Sequence, residues 1–214
     1  MDDKINALGQ FSKRDNHADF ERYRQLAMER GAADAKIISA RDVKIDERVR
    51  LKCTIPRCAR AGQTPNCPPF APELEVIRKA VSLYSTAILI KCNVLLDEYE
   101  PGREGDTTAQ RQVMLFHRKG AEVVIEIERQ AFRDGYHLAM GLAGGSCKDY
   151  LCEGQPCQFL ENRICRYPLR SRPSIEAMGI DITALINEAG WATYALTGSE
   201  NHSQAITVGL VFIV

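Results

Sequence analysis

Thr86-Ala87-Ile88-Leu89-Ile90-Lys91-Cys92-Asn93-Val94-Leu95-Leu96 is the stretch on which the reading of the fold turns. Ile88, Ile90, Cys92 and Val94 alternate along it, which is the period of a strand with one buried face. The segment before it, Pro72 to Ser82, reads as a short helix. Pro72 stands at its start, and Leu74, Ile77 and Val81 form its apolar side. After an acidic loop at 97–106, Thr107 to Asp134 reads as a long helix. Val113, Phe116, Gly120, Val124, Ile127 and Ala131 recur there at three- and four-residue steps, as a buried stripe does.

Working outward, His17 to Gly31 predicts a helix with Phe20, Tyr23, Leu26 and Ala27 on one face and Gly31 as its C-cap. Ala35 to Asp46 predicts a strand whose alternation slips near Arg41, a sign of a bulge. Tyr136 to Gly141 reads as a short strand. Ser174 and Asp181 each suit the N-cap of a short helix. Trp191 to Leu196 and Ala205 to Val214 read as a closing pair of strands, with the turn at Gly198 to Asn201. Residues 1–16 are polar and read as loose. The order of elements predicts an α/β or α+β fold, a mixed sheet packed by helices. The chain reads as a single domain, 1–214, with two cysteine-bearing loops.

Composition narrows the function. Lys+Arg and Asp+Glu number 28 each, a formal net charge of zero, where a general nucleic-acid binder would carry a basic excess. No apolar run reaches eighteen residues; the nearest, Ala87 to Leu96, is broken by Lys91 and Asn93. No apolar signal segment follows Met1-Asp2-Asp3-Lys4. A cytoplasmic, reducing location without a membrane role is expected. In that compartment, grouped cysteines read as metal ligands or redox centres rather than disulfides.

Seven of the eight cysteines fall in two groups. Cys53, Cys58 and Cys67 have the form C-x4-C-x8-C on a loop, 53–72, that holds five prolines. Cys147, Cys152, Cys157 and Cys165 have the form C-x4-C-x4-C-x7-C, with glycines before and within the run. Four thiolates are the complement of a four-iron cluster or a structural zinc site. Zinc prefers C-x2-C knuckles, and neither group contains one. Proline directly after a ligand, as in Cys67-Pro68-Pro69, stiffens the exit from a cluster. The first group offers three ligands, so either a fourth comes from elsewhere or one metal position stays open to a small molecule. Cys92 lies in register with Ile88 and Ile90, and core packing is its expected role.

Arg57 and Arg60 beside the first group, and Arg166, Arg170 and Arg172 after the second, are candidate contacts to cluster charge or to an anionic substrate. A solvated basic surface is the competing reading. Glu176 is a candidate partner for Arg172, or a first-turn acid favoured by the helix dipole. His117 and His137 stand alone in the sequence, and a structural role is expected for each. No P-loop, dinucleotide fingerprint or nucleophile elbow is present.

Leu51-Lys52-Cys53, Cys58 and Asn66-Cys67-Pro68-Pro69-Phe70-Ala71-Pro72 resemble the first signature of an uncharacterised bacterial and archaeal family of predicted metal-binding proteins, a domain of unknown function. Glu128-Arg129, Phe132 and Gly135-Tyr136 resemble the end of its central helix. Gly144-Gly145-Ser146-Cys147, Cys165-Arg166-Tyr167-Pro168 and the run Arg172-Pro173-Ser174-Ile175-Glu176-Ala177-Met178-Gly179-Ile180-Asp181 resemble its second signature. The resemblance covers the chain from about residue 45 onward. It implies a metal-binding, iron–sulfur protein of a kind common in anaerobes, and no established reaction.

Together these features predict an iron–sulfur redox protein with one or two 4Fe-4S clusters passing electrons to a partner protein. Two alternatives stay open. One is an enzyme whose three-cysteine cluster has an open iron for a small-molecule substrate, with reductive activation, dehydration or sulfur transfer as its chemistry. The other is a zinc-stabilised binding module. The apolar final strand permits a homodimer.

Overall fold

The computed structural model describes residues 17–95, 115, 117–191 and 204–214. Its centre is β2 (Thr86–Leu95). In a four-stranded sheet of order β1-β2-β4-β3, β2 pairs with β1 (Asp34–Ser39) and β4 (Gln204–Phe212), and β3 (Met140–Leu142) lies outside β4. Ile37 stands opposite Ile88, and Ile90 opposite Gly209. All three pairings are antiparallel, where a mixed sheet was expected. Parallel geometry survives as an isolated bridge between Ala143 and Ser174. An antiparallel neighbour needs no helical crossover, so β4 can slot between β2 and β3 from far along the chain.

The alternation of β2 sorts its side chains onto two layers. Ile88, Ile90 and Cys92 pack against α1 (His17–Glu29) and α4 (Arg118–Arg133), through Phe20, Tyr23 and Ala27 from α1 and Val123, Val124, Ile127 and Ala131 from α4. Ala87 and Leu89 face the other layer. There α3 (Leu74–Val81), α7 (Ile182–Glu188) and a single 3-10 turn (Glu176–Met178) bury Ile77, Val81, Leu185 and Met178. Ile88, Leu89 and Ile90 are fully buried, each contributing about 1.5–3 kcal/mol of apolar transfer. Three short helices carry the flanks of the cysteine loops: α2 (Glu47–Leu51), and α5 (Cys147–Tyr150) with α6 (Gln158–Asn162).

The slip near Arg41 proves to be a 3-10 turn, Ala40–Asp42, rather than a bulge. Ser39 Oγ accepts from Arg41 N at 3.2 Å and ends β1 early. Asp181 caps α7 as expected, its carboxylate accepting from Ala184 N. Ser174 Oγ accepts from Ala177 N at 3.0 Å, yet the segment makes only the one 3-10 turn. The short strand after α4 forms at Met140–Leu142, a few residues later than the pattern predicts. Residues 1–16, the acidic loop 97–106, the first part of the expected long helix with Val113 and Phe116, and residues 192–203 lie outside the described residues. Among the described residues no helix is long and apolar enough to cross a membrane.

Candidate metal centre

The loop between α2 and α3 turns back on itself through its own backbone. Cys58 N donates to Cys53 O at 3.1 Å, Cys67 N to Thr64 O at 3.3 Å, Ala71 N to Cys67 O at 3.1 Å and Gly62 N to Pro68 O at 2.6 Å. These closures bring Cys53, Cys58 and Cys67 onto one wall of a cavity of about 440 Å3. The second loop folds similarly. Leu151 N donates to Cys147 O, Gln155 N to Cys152 O and Leu160 N to Cys157 O, at 2.9–3.1 Å. Glu153 and Arg163 adopt positive φ within this wrap, a conformation side chains take only when the surroundings impose it. Cys147, Cys152, Cys157 and Cys165 line a separate space of about 20 Å3, closed by Thr64, Leu151 and Phe159.

The two groups are neighbours. Cys67 Sγ lies 3.7 Å from Ser146 Oγ, and Asn66 Nδ2 donates to both Cys147 Sγ (3.4 Å) and Ser171 Oγ (2.8 Å). Lys148 Nζ donates to Gln63 Oε1 at 2.7 Å, and Arg60 pairs with Asp149 at 2.6 Å. Both contacts stitch the first loop to the second. Backbone N–H groups also reach sulfur, from Arg60 to Cys58 (3.4 Å) and from Tyr167 to Cys165 (3.3 Å). Among the described residues, no three His, Cys, Asp or Glu side chains converge on a point that one metal ion could occupy.

Electrostatics follow from burial and crowding. Burial pushes the Cys53 thiol up, and the neighbouring thiols of Cys58 and Cys67 push it further. Burial raises Cys147, against hydrogen bonds from Ser171 and Asn66. Burial raises Cys152 as well, and the Arg166 guanidinium opposes it.

The arginines divide. Arg166 works on the second group, near Cys152, and also donates to Pro156 O at 2.7 Å. Arg57 reaches Ala61 O at 3.4 Å within the first loop. Arg170 makes an exposed pair with Glu122 at 3.4 Å. Arg172 is engaged with Glu128 on α4, and its second amine donates to Ser171 O at 2.8 Å; Glu176 is therefore not its partner. Cys92 is fully buried among Ile88, Ile90 and Val211 and lines neither cysteine space, and burial pushes its thiol up to about 11.

Glu176 and His117 are among the residues of the first cavity that had no expected part in it. Glu176 lines the cavity from the 3-10 turn. Its signal was the run Arg172 to Asp181, visible as a motif but silent about direction. His117 lines the cavity from the start of α4, and its Nδ1 lies 2.8 Å from Thr207 Oγ1 on β4. Burial pushes its pKa down to about 4. Gly145 gives the ring its room: a Cβ there would stand 2.8 Å from His117 Cγ and closer still to Cδ2. Nothing local to His117 in the sequence signals this, because the contact joins α4, β4 and the second cysteine loop.

Neither the curated proteins nor the solved structures contain a match to this chain. One family model does match, over residues 36–213, which takes in both cysteine groups, the sheet and the Arg172–Asp181 segment. The chain belongs to the family described as predicted metal-binding protein (DUF2284).

Proposed function

We propose that this metal-binding protein is an iron–sulfur protein with two 4Fe-4S centres, one enclosed and one open to a ligand cavity. The observation that carries this reading is the inequality of the two cysteine sites. Four thiols surround a space of about 20 Å3, and three thiols line a cavity of about 440 Å3. The donor sets fit the group. Four thiols line one space and three line the other, the ligand numbers of a complete and of an incompletely ligated cluster.

When bound, such clusters exchange single electrons, and an iron lacking a protein thiolate can also bind and polarise a small molecule. Around Cys147, Cys152, Cys157 and Cys165, the protein supplies hydrogen bonds. Tyr167 N donates to Cys165, Asn66 Nδ2 donates to Cys147, and the Arg166 charge bears on Cys152. These contacts stabilise the more negative, reduced state and so raise its potential. Around Cys53, Cys58 and Cys67, the protein leaves room instead. A cavity of about 440 Å3 falls within the roughly 300–1,000 Å3 of small-molecule sites. That volume favours an enzyme acting on a small molecule over a pure carrier of electrons to a partner protein. Reductive activation, dehydration and sulfur transfer are the reaction classes such a site suits.

The test is iron and acid-labile sulfide on protein kept free of air. About eight irons per chain are expected, with about half lost in Cys67→Ser and about half in Cys165→Ser. Colourless protein with stoichiometric zinc would refute the reading in favour of a zinc-stabilised module. A spectroscopic change on adding a small ligand that persists in Cys165→Ser but vanishes in Cys67→Ser would assign the ligand to the open site.

A further inference from the structure

The segment 172–181 carries no cysteine, yet it walls the cavity of the first group. Ala143 N donates to Pro173 O and Ile175 N to Ala143 O, each at 3.0 Å, which ties its start to the end of β3. Its other end is tied to the stretch before α2, where Ile180 bridges Ile45 and Asp181 N donates to Lys44 O at 2.9 Å. Ile175 and Ala177 are buried in the core on either side of Glu176. The backbone is thus held at both ends, and the Glu176 side chain lines the same cavity as Cys53, Cys58 and Cys67.

That carboxyl lacks an ionic counterpart among the described residues. Arg172, its nearest basic neighbour in sequence, is engaged by Glu128, and Arg60 in the cavity wall is engaged by Asp149. Its side-chain hydrogen bond is to Ser174. A carboxyl fixed on the same wall as three thiols offers an oxygen donor to a cation held there. The other potential donors in the wall differ. Asp149 already has its cation, and the Asp181 carboxylate accepts from Ala184 N as the cap of α7. His117 is neutral and hydrogen-bonded to Thr207, a state that burial tolerates.

We propose that Glu176 is the fourth protein ligand of the first centre, its carboxylate completing the set formed by Cys53, Cys58 and Cys67. The proposal rests on the iron–sulfur reading above. On binding, the carboxyl O–H bond breaks, an iron–oxygen bond forms, the proton passes to water, and no electron is transferred. An oxygen donor suits iron of a cluster less well than thiolate does, so this is the position a small oxygen-bearing molecule in the cavity can take over.

The test uses the full chain reconstituted without air with 57Fe. Wild type, Glu176→Cys and Glu176→Gln are compared by Mössbauer spectroscopy and iron content, with 15N-histidine labelling for pulsed electron paramagnetic resonance. In wild type, about one iron in eight should carry the raised isomer shift of an oxygen ligand. Glu176→Cys, which keeps a donor at the position, should lose that signal and become all-thiolate. Glu176→Gln should lose about one iron per chain on brief oxidation while keeping its sulfide. An oxygen-ligated signal unchanged in both variants would overturn the proposal. So would a histidine nitrogen coupling that disappears in His117→Gln. If wild type holds eight irons and the Glu176 variants match it, Glu176 alone is refuted; if wild type holds no iron, the iron–sulfur reading falls as well.

Discussion

Gly145 and Gly190 offer a matched pair for testing how the first cavity is built. Both adopt nearly the same left-handed backbone, with φ +65 and +67. They differ in what surrounds them. A Cβ on Gly190, just past α7, meets nothing within 4 Å, whereas a Cβ on Gly145 lands against the His117 ring. Gly190→Ala should therefore cost only the backbone term, about 1–2 kcal/mol. Gly145→Ala should cost that plus the forced displacement of a packed ring, a further 1–3 kcal/mol or so, for a total of about 2–5 kcal/mol. Urea unfolding at fixed metal loading measures both, with the slope checked for constancy. The decisive arm is the His117→Ala background, where the ring is absent and Gly145→Ala should fall back to about 1–2 kcal/mol. Equal costs for the two glycines, or the same Gly145→Ala cost in both backgrounds, would refute the view that Gly145 is there to admit His117.

His117 also makes stability depend on pH. Its folded pKa of about 4 lies below the ordinary 6.5, so between those values the unfolded chain binds a proton that the folded chain refuses. Stability should thus decline as pH falls from about 6.5 to about 4, by up to about 3 kcal/mol, and His117→Gln should flatten that slope in urea titrations at several pH values. Cys92→Ser puts a hydroxyl among Ile88, Ile90 and Val211, and should lower stability by about 1–3 kcal/mol with iron content unchanged; loss of iron would make Cys92 a ligand after all.

Much of this protein was legible where the physics is local. The alternation of Ile88, Ile90 and Cys92 predicted the strand and grouped those side chains on one face, because a strand's period is built into its backbone, whereas the equal burial of Ala87 and Leu89 on the other face came from packing. Asp181 was readable as a cap, since its carboxylate needs only the amide of Ala184. Each cysteine group was readable as a set, since its members are close in sequence and one loop folds them together. Where a local signal had two solutions, the sequence left the choice open: the slip at Arg41 signalled a break, and Ser39's hydroxyl made it a 3-10 turn.

Tertiary packing decided the rest. The antiparallel order β1-β2-β4-β3 depends on β4, more than a hundred residues after β2, competing for its free edge, and no window of sequence records that competition. The difference between the enclosed and the open cysteine site depends on what closes each space. Thr64 and Phe159 come close over one, while α7 and the 3-10 turn stand back from the other. His117 and Glu176 reach the open site only because α4 and the segment 172–181 pack against opposite sides of one sheet's edge structure, through β4 and β3 respectively. Residue types and short spacings declare which atoms could hold a metal. Which of them face a shared space is a property of long-range contacts, whose energies are sums over the whole core.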